Sequence, residues 1–355
     1  MKPKTAIVVS SAAFAGAGLL CAGATAAAVC GAWAITRRRA PQHLSGKTVL
    51  ITGGSRGLGL AMAAEFGRQG ARLVLTARDG EELERARNFL VERRAVRDVS
   101  HVLTLPADLR RPEDAESLIA RATEHFGAID VLVNNAGVIT VGPVENQTVQ
   151  DFHDVMDSNF FTGVHCAISV LPQMLERRSG TIVNITSIGG KIPVPHLLPY
   201  TASKFAAVGF SEGLHSELRS KGVHVLTVCP GLMRTGSHLN AYFSGDAARE
   251  YRWFSLSANL PGVSASATSA ARKIVRAVIR RETEIAITPQ AIVAARAAHL
   301  VPEAVALTMS LVNRMLPSPA SEKAGLHRGA EVRDLELPPA SQLGGRVARR
   351  YNQTG

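Results

Sequence analysis

The sequence predicts an α/β protein built on a doubly wound parallel sheet of about seven strands with helices on both faces. Three observations predict it. Short apolar runs alternate with helix-spaced segments between residues 45 and 288. A glycine-rich turn, Thr52-Gly-Gly-Ser-Arg-Gly-Leu-Gly59, separates the first run from the first helical segment. The texture changes outside that range. Residues 1–44 read as a membrane anchor with a basic flank, 45–288 as the sheet domain, 289–316 as an apolar helical extension and 317–355 as a poorly ordered tail rich in Pro, Gly, Arg and Ser.

The elements follow in order. Residues 48–52 form a short apolar strand, and residues 58–69 have helical spacing that stops at Gly70. A second strand at 72–76 leads to a charged helix at 81–95. A third strand at 101–105 leads to a helix at 112–125 that starts on Pro112. Residues 130–133 make a fourth strand. Residues 152–178 read as one long helix, with Pro172 expected to kink it. Strands at 181–185, 223–228 and 284–288 alternate with helices beginning near Tyr200 and at residue 267. Such spacing implies right-handed crossovers and a parallel sheet covered on both sides.

Composition narrows the function classes. An apolar fraction of 46% with 19% charged residues is globular. The cysteines (Cys21, Cys30, Cys166, Cys229) form no CxxC pair, which speaks against a disulfide framework or a zinc site and fits a reducing compartment. The histidines, His153, His165, His196, His215 and His224 among them, have no ligand spacing, so no metal is expected. His196 alone lies in a segment that could touch a substrate. The net charge is +11, but Lys2, Lys4, Arg37, Arg38 and Arg39 supply five of it and aromatics are only 5%, so nucleic acid is not an expected partner.

Residues 5–36 contain no charged side chain and are long enough to span a bilayer, which needs about 20 residues. A single-pass anchor and a cleaved signal peptide both fit; the basic triplet directly after the run favours the anchor. Charge weakly orients the sheet domain toward the cytoplasm. Residues 291–316 are apolar and broken by Pro302, which suits helices against a membrane, a lid or ordinary packing.

Two stretches carry chemistry. In the first, Gly53, Gly57 and Gly59 let the backbone approach a pyrophosphate, and the helix that begins at Leu58 offers free N–H groups and a positive dipole. Ser55 and Arg56 lie in the same turn. The second strand ends in Ala77 and Arg78, where a site for NAD would place an acid; with Arg56 nearby, the pair suits the 2′-phosphate of NADP(H) over NAD(H). Asp79 could instead take the ribose. Asp108, with Leu109 beside it, follows the third strand and could accept the adenine amino group. Asn134-Asn135-Ala136-Gly137 ends the fourth strand with small residues that leave room for a cofactor. Residues 53–57 also fit the GxSxG hydrolase elbow, as do residues 209–213. The second lies inside a helix, and the first has no Asp/His pair signalled downstream.

The second stretch is Thr186 to Lys204. Ser187 stands where a strand ends, a Gly/Pro loop follows, and Tyr200 and Lys204 are four apart at a helix start, which puts them on one face. A hydroxyl, a phenol and an ammonium then converge, the equipment for moving a proton onto or off an oxygen.

These residues resemble the short-chain dehydrogenase/reductase family, in its main single-domain branch. The resemblance rests on Thr52-Gly-xxx-Gly-x-Gly59, Asn134-Asn-Ala-Gly137, Asn159, Ser187, Tyr200-xxx-Lys204, and Pro230-Gly231 with Thr235, in the family's order and spacing across residues 45–288. It implies a Rossmann-like fold and a catalytic tetrad. Tyr200 would be the general acid or base, with Lys204 favouring its phenolate and binding the nicotinamide ribose. Ser187 would orient the substrate oxygen, and Asn159 would hold a water linking Lys204 to solvent. Pro230, Gly231 and Thr235 would pack on the nicotinamide. The implied function is hydride transfer between NADP(H) and a ketone, aldehyde or alcohol. Residues 236–260, with Leu239, Tyr242, Phe243, Tyr251, Trp253 and Phe254, hint at a lipophilic carbonyl, and the enzyme would act as a homo-oligomer or alone. A silent NADP(H)-binding sensor or scaffold at a membrane is the competing class.

Overall fold

A computed structural model describes residues 41–259, 264–321, 325–332 and 352–353. The anchor expected at residues 5–36 lies outside these residues, as does much of the tail. Among the described residues no helix is long and apolar enough to cross a membrane.

Seven strands form the main sheet: β1 (Thr48–Thr52), β2 (Arg72–Ala77), β3 (Val102–Pro106), β4 (Val131–Asn134), β5 (Gly180–Ile185), β6 (Val223–Cys229) and β7 (Glu284–Ala286). Their order is β7-β6-β5-β4-β1-β2-β3, and every neighbouring pair is parallel. The direction of winding reverses between β1 and β4, which opens a crevice at the carboxyl ends of those strands. Leu50 registers with Val74 and Leu132 across the centre.

Because both faces are covered, β1, β5 and β6 are buried throughout and read as continuous apolar runs. Alternate side chains feed two cores. Val49, Ile51, Leu73 and Leu75 pack under α1 (Gly57–Arg68), α2 (Gly80–Glu92) and α8 (Ala267–Arg280). Leu50, Val74, Leu132 and Ile182 pack under α3 (Pro112–Phe126), α5 (Thr162–Glu176) and α6 (Leu198–Leu218).

The structure corrects some local expectations. The long helix expected at 152–178 is a continuous helical run from Val149 to Glu176, but it is not α-helical throughout. α4 (Val149–Met156) passes into a π-helical segment, Asp157–Phe161, before α5, and Pro172 sits inside α5. The last strand stops at Ala286, because Thr288 serves as N-cap of α9 (Pro289–Leu300), accepting from the Ala291 N–H. α10 (Pro302–Asn313) follows directly, with Pro302 at its first turn. Parts of the tail are tied down: His327–Arg328 pairs with Tyr242–Phe243, which in turn pairs with Thr140–Val141, and the Asn146 amide exchanges two hydrogen bonds with the Ala320 backbone.

Candidate active site

β1 delivers the glycine turn to the crevice, and α1 begins at Gly57. Gly57 has φ +57°, a conformation few other residues adopt. A Cβ on Gly59 would run into the Gly53 carbonyl, so the turn closes only with glycine there. The Thr52 hydroxyl receives the Asn135 and Ala136 backbone N–H groups, each at 2.9 Å, and the Asn135 side-chain amide donates to the Thr52 and Gly53 carbonyls. Asn135 thus braces the turn from β4. A dinucleotide fits this cradle, since the α1 N–H groups at its start lack intrahelical acceptors and no side chain grows from Gly57 or Gly59.

The adenosine end is more occupied than the sequence suggested. The Ser55 hydroxyl donates to Glu82 at 2.7 Å, and Arg56 donates to the other Glu82 oxygen and to the Asn240 side-chain oxygen, each at 3.2 Å. Glu82 is buried on α2 and gave no signal in sequence, because a glutamate in a charged helix reads as a solvated face. Its bond to Ser55 also leaves that hydroxyl without the histidine a hydrolase elbow needs. Arg78 is exposed at the end of β2. Asp79 caps α2 through the Glu82 N–H, so its carboxylate is committed there. The Asp108 carboxylate is gripped by Arg110, whose guanidinium holds it below the usual range. The Leu109 carbonyl accepts from His165 Nδ1 at 2.9 Å.

The chain also places its own end in this cradle. The Asn352 amide donates to the Ser55 and Glu82 carbonyls, each at 3.1 Å. The Gln353 side-chain oxygen accepts from Asn240 at 2.7 Å, and its amide nitrogen lies where a Cβ on Gly57 would be.

β5 and α6 carry the proton-handling groups. Ser187, extended at the end of β5, accepts the Gly189 N–H at 3.0 Å and so caps a short turn. A Cβ built on Gly189 would lie 3.5 Å from both the Ser187 Oγ and the Tyr200 ring, which shows how closely the two side chains converge. One turn of α6 later, the buried Lys204 Nζ donates to the Ile185 carbonyl at 3.1 Å and stands 5.7 Å from the Tyr200 ring centre. Burial pushes the Tyr200 phenol above its ordinary value, while a hydrogen bond with Ser187 pulls the other way. Burial lowers the Lys204 ammonium to about 8. Without a cofactor, then, Lys204 does not offset the burial of the phenol, and Tyr200 keeps its proton at neutral pH.

Asn159 sits in the π-helical turn. Its Oδ1 accepts the Val138 N–H at 2.6 Å, and its Nδ2 donates to the Val138 carbonyl and the Ser203 hydroxyl, which donates to the Tyr200 carbonyl. The side chain therefore ties the end of β4 to α6. Beside it lies a cavity of about 20 Å³ lined by Asn134, Asn159 and Asn184, room for one water. The buried Asn134 Oδ1 has no partner and would welcome that water. Gly137 packs against this amide, where a Cβ would lie 2.8 Å from Asn159 Oδ1.

The Ile188 N–H donates to the Pro230 carbonyl at 2.7 Å, joining the Ser187 turn to the end of β6. Gly231 abuts Thr288 and Ala291 at the start of α9, and Thr235 is buried, its hydroxyl accepting the Ser237 N–H. The described part of the aromatic segment, residues 236–259, forms largely a core of its own. Leu239, Phe243, Tyr251 and Phe254 are buried, with α7 (Ala247–Asn259) at its centre, and Tyr200, Val194 and Trp253 pack against the cluster. His196 is drawn into it with φ +59°. Its Nδ1 meets Glu250 Oε1 at 2.8 Å, and Trp253 donates to the other Glu250 oxygen at 2.6 Å. Among the described residues no cluster of metal-ligating side chains forms.

Residues 47–242 match the family described as short chain dehydrogenase. A "dehydrogenase/reductase SDR family protein 7-like" of Anopheles gambiae is 35% identical over 262 residues, 74% of this chain and 80% of that protein. A ketoacyl reductase of Nostoc is 31% identical over 246 residues, 69% of this chain and 79% of that protein. Among solved structures, a short chain dehydrogenase/reductase of Burkholderia phymatum in complex with NAD aligns with a TM-score of 0.66 at 26% identity, covering 74% of this chain and 96% of that one.

Proposed function

The chain belongs to the short-chain dehydrogenase/reductase family and is an oxidoreductase, and from that premise we propose that it reduces a lipophilic ketone or aldehyde with NADPH while held at a membrane by residues 5–36, its sheet domain on the cytoplasmic side. The observation that carries the reading is the convergence of Ser187, Tyr200 and Lys204 at the carboxyl ends of the strands, beside a glycine turn whose backbone leaves room for a pyrophosphate. A nicotinamide bound at the cradle would supply or accept the hydride. The chain does the rest. The Ser187 hydroxyl donates to the substrate oxygen and fixes its direction. The Tyr200 phenol, protonated at neutral pH in this setting, gives its proton to that oxygen as reduction proceeds. Lys204, charged below about 8, would hold ribose hydroxyls and supply a proton in place of the one lost.

NADP(H) is favoured over NAD(H) because Arg78 is exposed at the end of β2 while Asp79, the residue that could have bound ribose hydroxyls, is spent as a helix cap. Arg56 is a weaker contributor than the sequence implied, since Glu82 already faces it. Arg78→Ala should raise the KM for NADPH about tenfold, the value of a charge-assisted contact, and leave NADH unchanged; an unchanged KM for NADPH would end the assignment. The lipophilic substrate is supported by the apolar wall against which Tyr200 packs and by the carbonyl chemistry that the name of the Nostoc relative gives. NADPH oxidation measured across carbonyls from short polar ketones to long-chain, steroid-like and retinoid-like ones tests it: activity confined to the short polar members would overturn it. A silent binder is not favoured, because the tetrad is complete and mutually positioned.

A further inference from the structure

α9 and α10 form an apolar hairpin that the domain does not cover. Among the described residues α10 buries no side chain, and α9 buries only Ala291, at its root. Along α10, Ala304, Leu307 and Leu311 recur every three or four residues on one face, with Leu307 64% and Leu311 51% exposed, and Leu300 at the end of α9 and Met315 just past α10 are 80% and 86% exposed. Val293 at 68% and Val301 at 50% extend the same apolar surface. Ordinary packing onto the domain, one of the readings the sequence allowed, is not what the structure shows. A helix apolar nearly all round is normally buried. This one needs a cover from outside the described residues.

We propose that the α9–α10 hairpin docks on the surface of an anionic lipid bilayer. Charge argues for lipid. Residues 289–321 carry two arginines, Arg296 within α9 and Arg314 just past α10, against one acid, Glu303, in the first turn of α10, so the stretch is net positive. Exposed apolar side chains with arginines among them suit acyl chains below and anionic headgroups beside them. Length argues for lying in the interface. Each helix has 12 residues, about 18 Å of rise, against a hydrocarbon core of about 30 Å. Both helices break at Val301–Pro302, so neither continues across.

The hairpin is rooted at the site. Thr288 caps α9, and Thr288 and Ala291 press against Gly231, one residue from Pro230, whose carbonyl holds the Ile188 N–H of the Ser187 turn. Docking would therefore set the carboxyl edge of the sheet, where the substrate enters, close to the lipid. That consequence for the substrate rests on the function proposed above; the docking itself rests on the exposed face.

The test uses the full chain with Cys21 and Cys30 replaced by Ser, the remaining Cys166 and Cys229 being buried. Met315→Cys carries an environment-sensitive NBD label, and Glu113→Cys on α3 carries the same label as a control. The chain is incorporated into vesicles of phosphatidylcholine with and without phosphatidylserine. At position 315 the emission should shift to the blue, be quenched by nitroxide-labelled lipid and resist aqueous iodide, more so with phosphatidylserine; position 113 should do the reverse. Adding Leu307→Asp and Leu311→Asp, both at exposed positions, should abolish the shift at 315 while leaving the circular dichroism spectrum intact. A label at 315 that stays open to iodide overturns the proposal. So does a blue shift that needs no lipid and grows with protein concentration, which would make the face a contact between two copies. A lipid-bound label with activity only on short polar ketones would sink the substrate reading and leave the docking standing; a water-exposed label with activity on long-chain ketones would do the opposite.

Discussion

At Tyr200 burial raises the phenol while the Ser187 hydrogen bond pulls the other way, so in the cofactor-free chain it holds the proton a general acid would give. Tyr200→Phe should keep dinucleotide binding, read by cofactor fluorescence, and lose about 10²–10⁴-fold in kcat, the span of general acid catalysis. Lys204 titrates near 8 in the ligand-free chain. Below that pH it is an ammonium with three donors, and above it an amine with a poorer set. Dinucleotide affinity should therefore fall as pH rises through about 8, and Lys204→Met should lose that inflection; a titration curve shared by both proteins would contradict the role. At Gly57 the side chain of Gln353 occupies ground that a pyrophosphate would need. A chain ending at residue 351 should bind NADPH more tightly, by the reciprocal of the fraction of time the cradle is clear. Equal dissociation constants by calorimetry would show that the tail does not compete.

At the scale of elements, what was legible depended on how local the cause was. β1 came out of the sequence with the bounds the structure gives, 48–52, because a fully buried parallel strand is a plain apolar run. The glycine turn and the Tyr200/Lys204 pair were legible because their spacing is itself the geometry. The π-helical turn at Asp157–Phe161 was not, since the residue it serves, Asn159, is fixed by partners at Val138 and Ser203 that are distant in sequence. The two-residue strands at 140–141, 242–243 and 327–328 are too short to show a period. The aromatic segment was legible only in part. Its Phe243, Tyr251 and Phe254 pack on each other as well as behind Tyr200, and the buried Glu250 that joins His196 to Trp253 looked like any surface glutamate. Glu250 is fully buried. Glu250→Gln, by weakening both contacts, should cost about 2–3 kcal/mol in urea unfolding. It should also raise KM for the carbonyl more than it lowers kcat, because α7 and the loop before Tyr200 lose their latch; a variant as stable as the parent would show that the pair holds nothing together.

For the whole molecule, the parallel order β7-β6-β5-β4-β1-β2-β3 brings the cradle on β1–α1 and the proton groups on β5–α6 to one edge of one sheet. Neither half is sufficient alone: the cradle explains a dinucleotide, the Ser187–Tyr200–Lys204 cluster explains a proton, and their shared edge makes one reaction. α9 and α10 leave from that same edge, so the surface proposed to dock on lipid is rooted beside the Ser187 turn. The claim at the centre is that Tyr200 hands a proton to a carbonyl oxygen while NADPH is consumed. The most direct measurement is single-turnover oxidation of bound NADPH by a long-chain ketone, followed in the parent and in Tyr200→Phe, with alcohol formation read by mass spectrometry. The parent should convert NADPH and ketone one for one into alcohol, and Tyr200→Phe should bind both and convert neither on the same timescale. Alcohol formed at the parent's rate without the phenol would contradict the account.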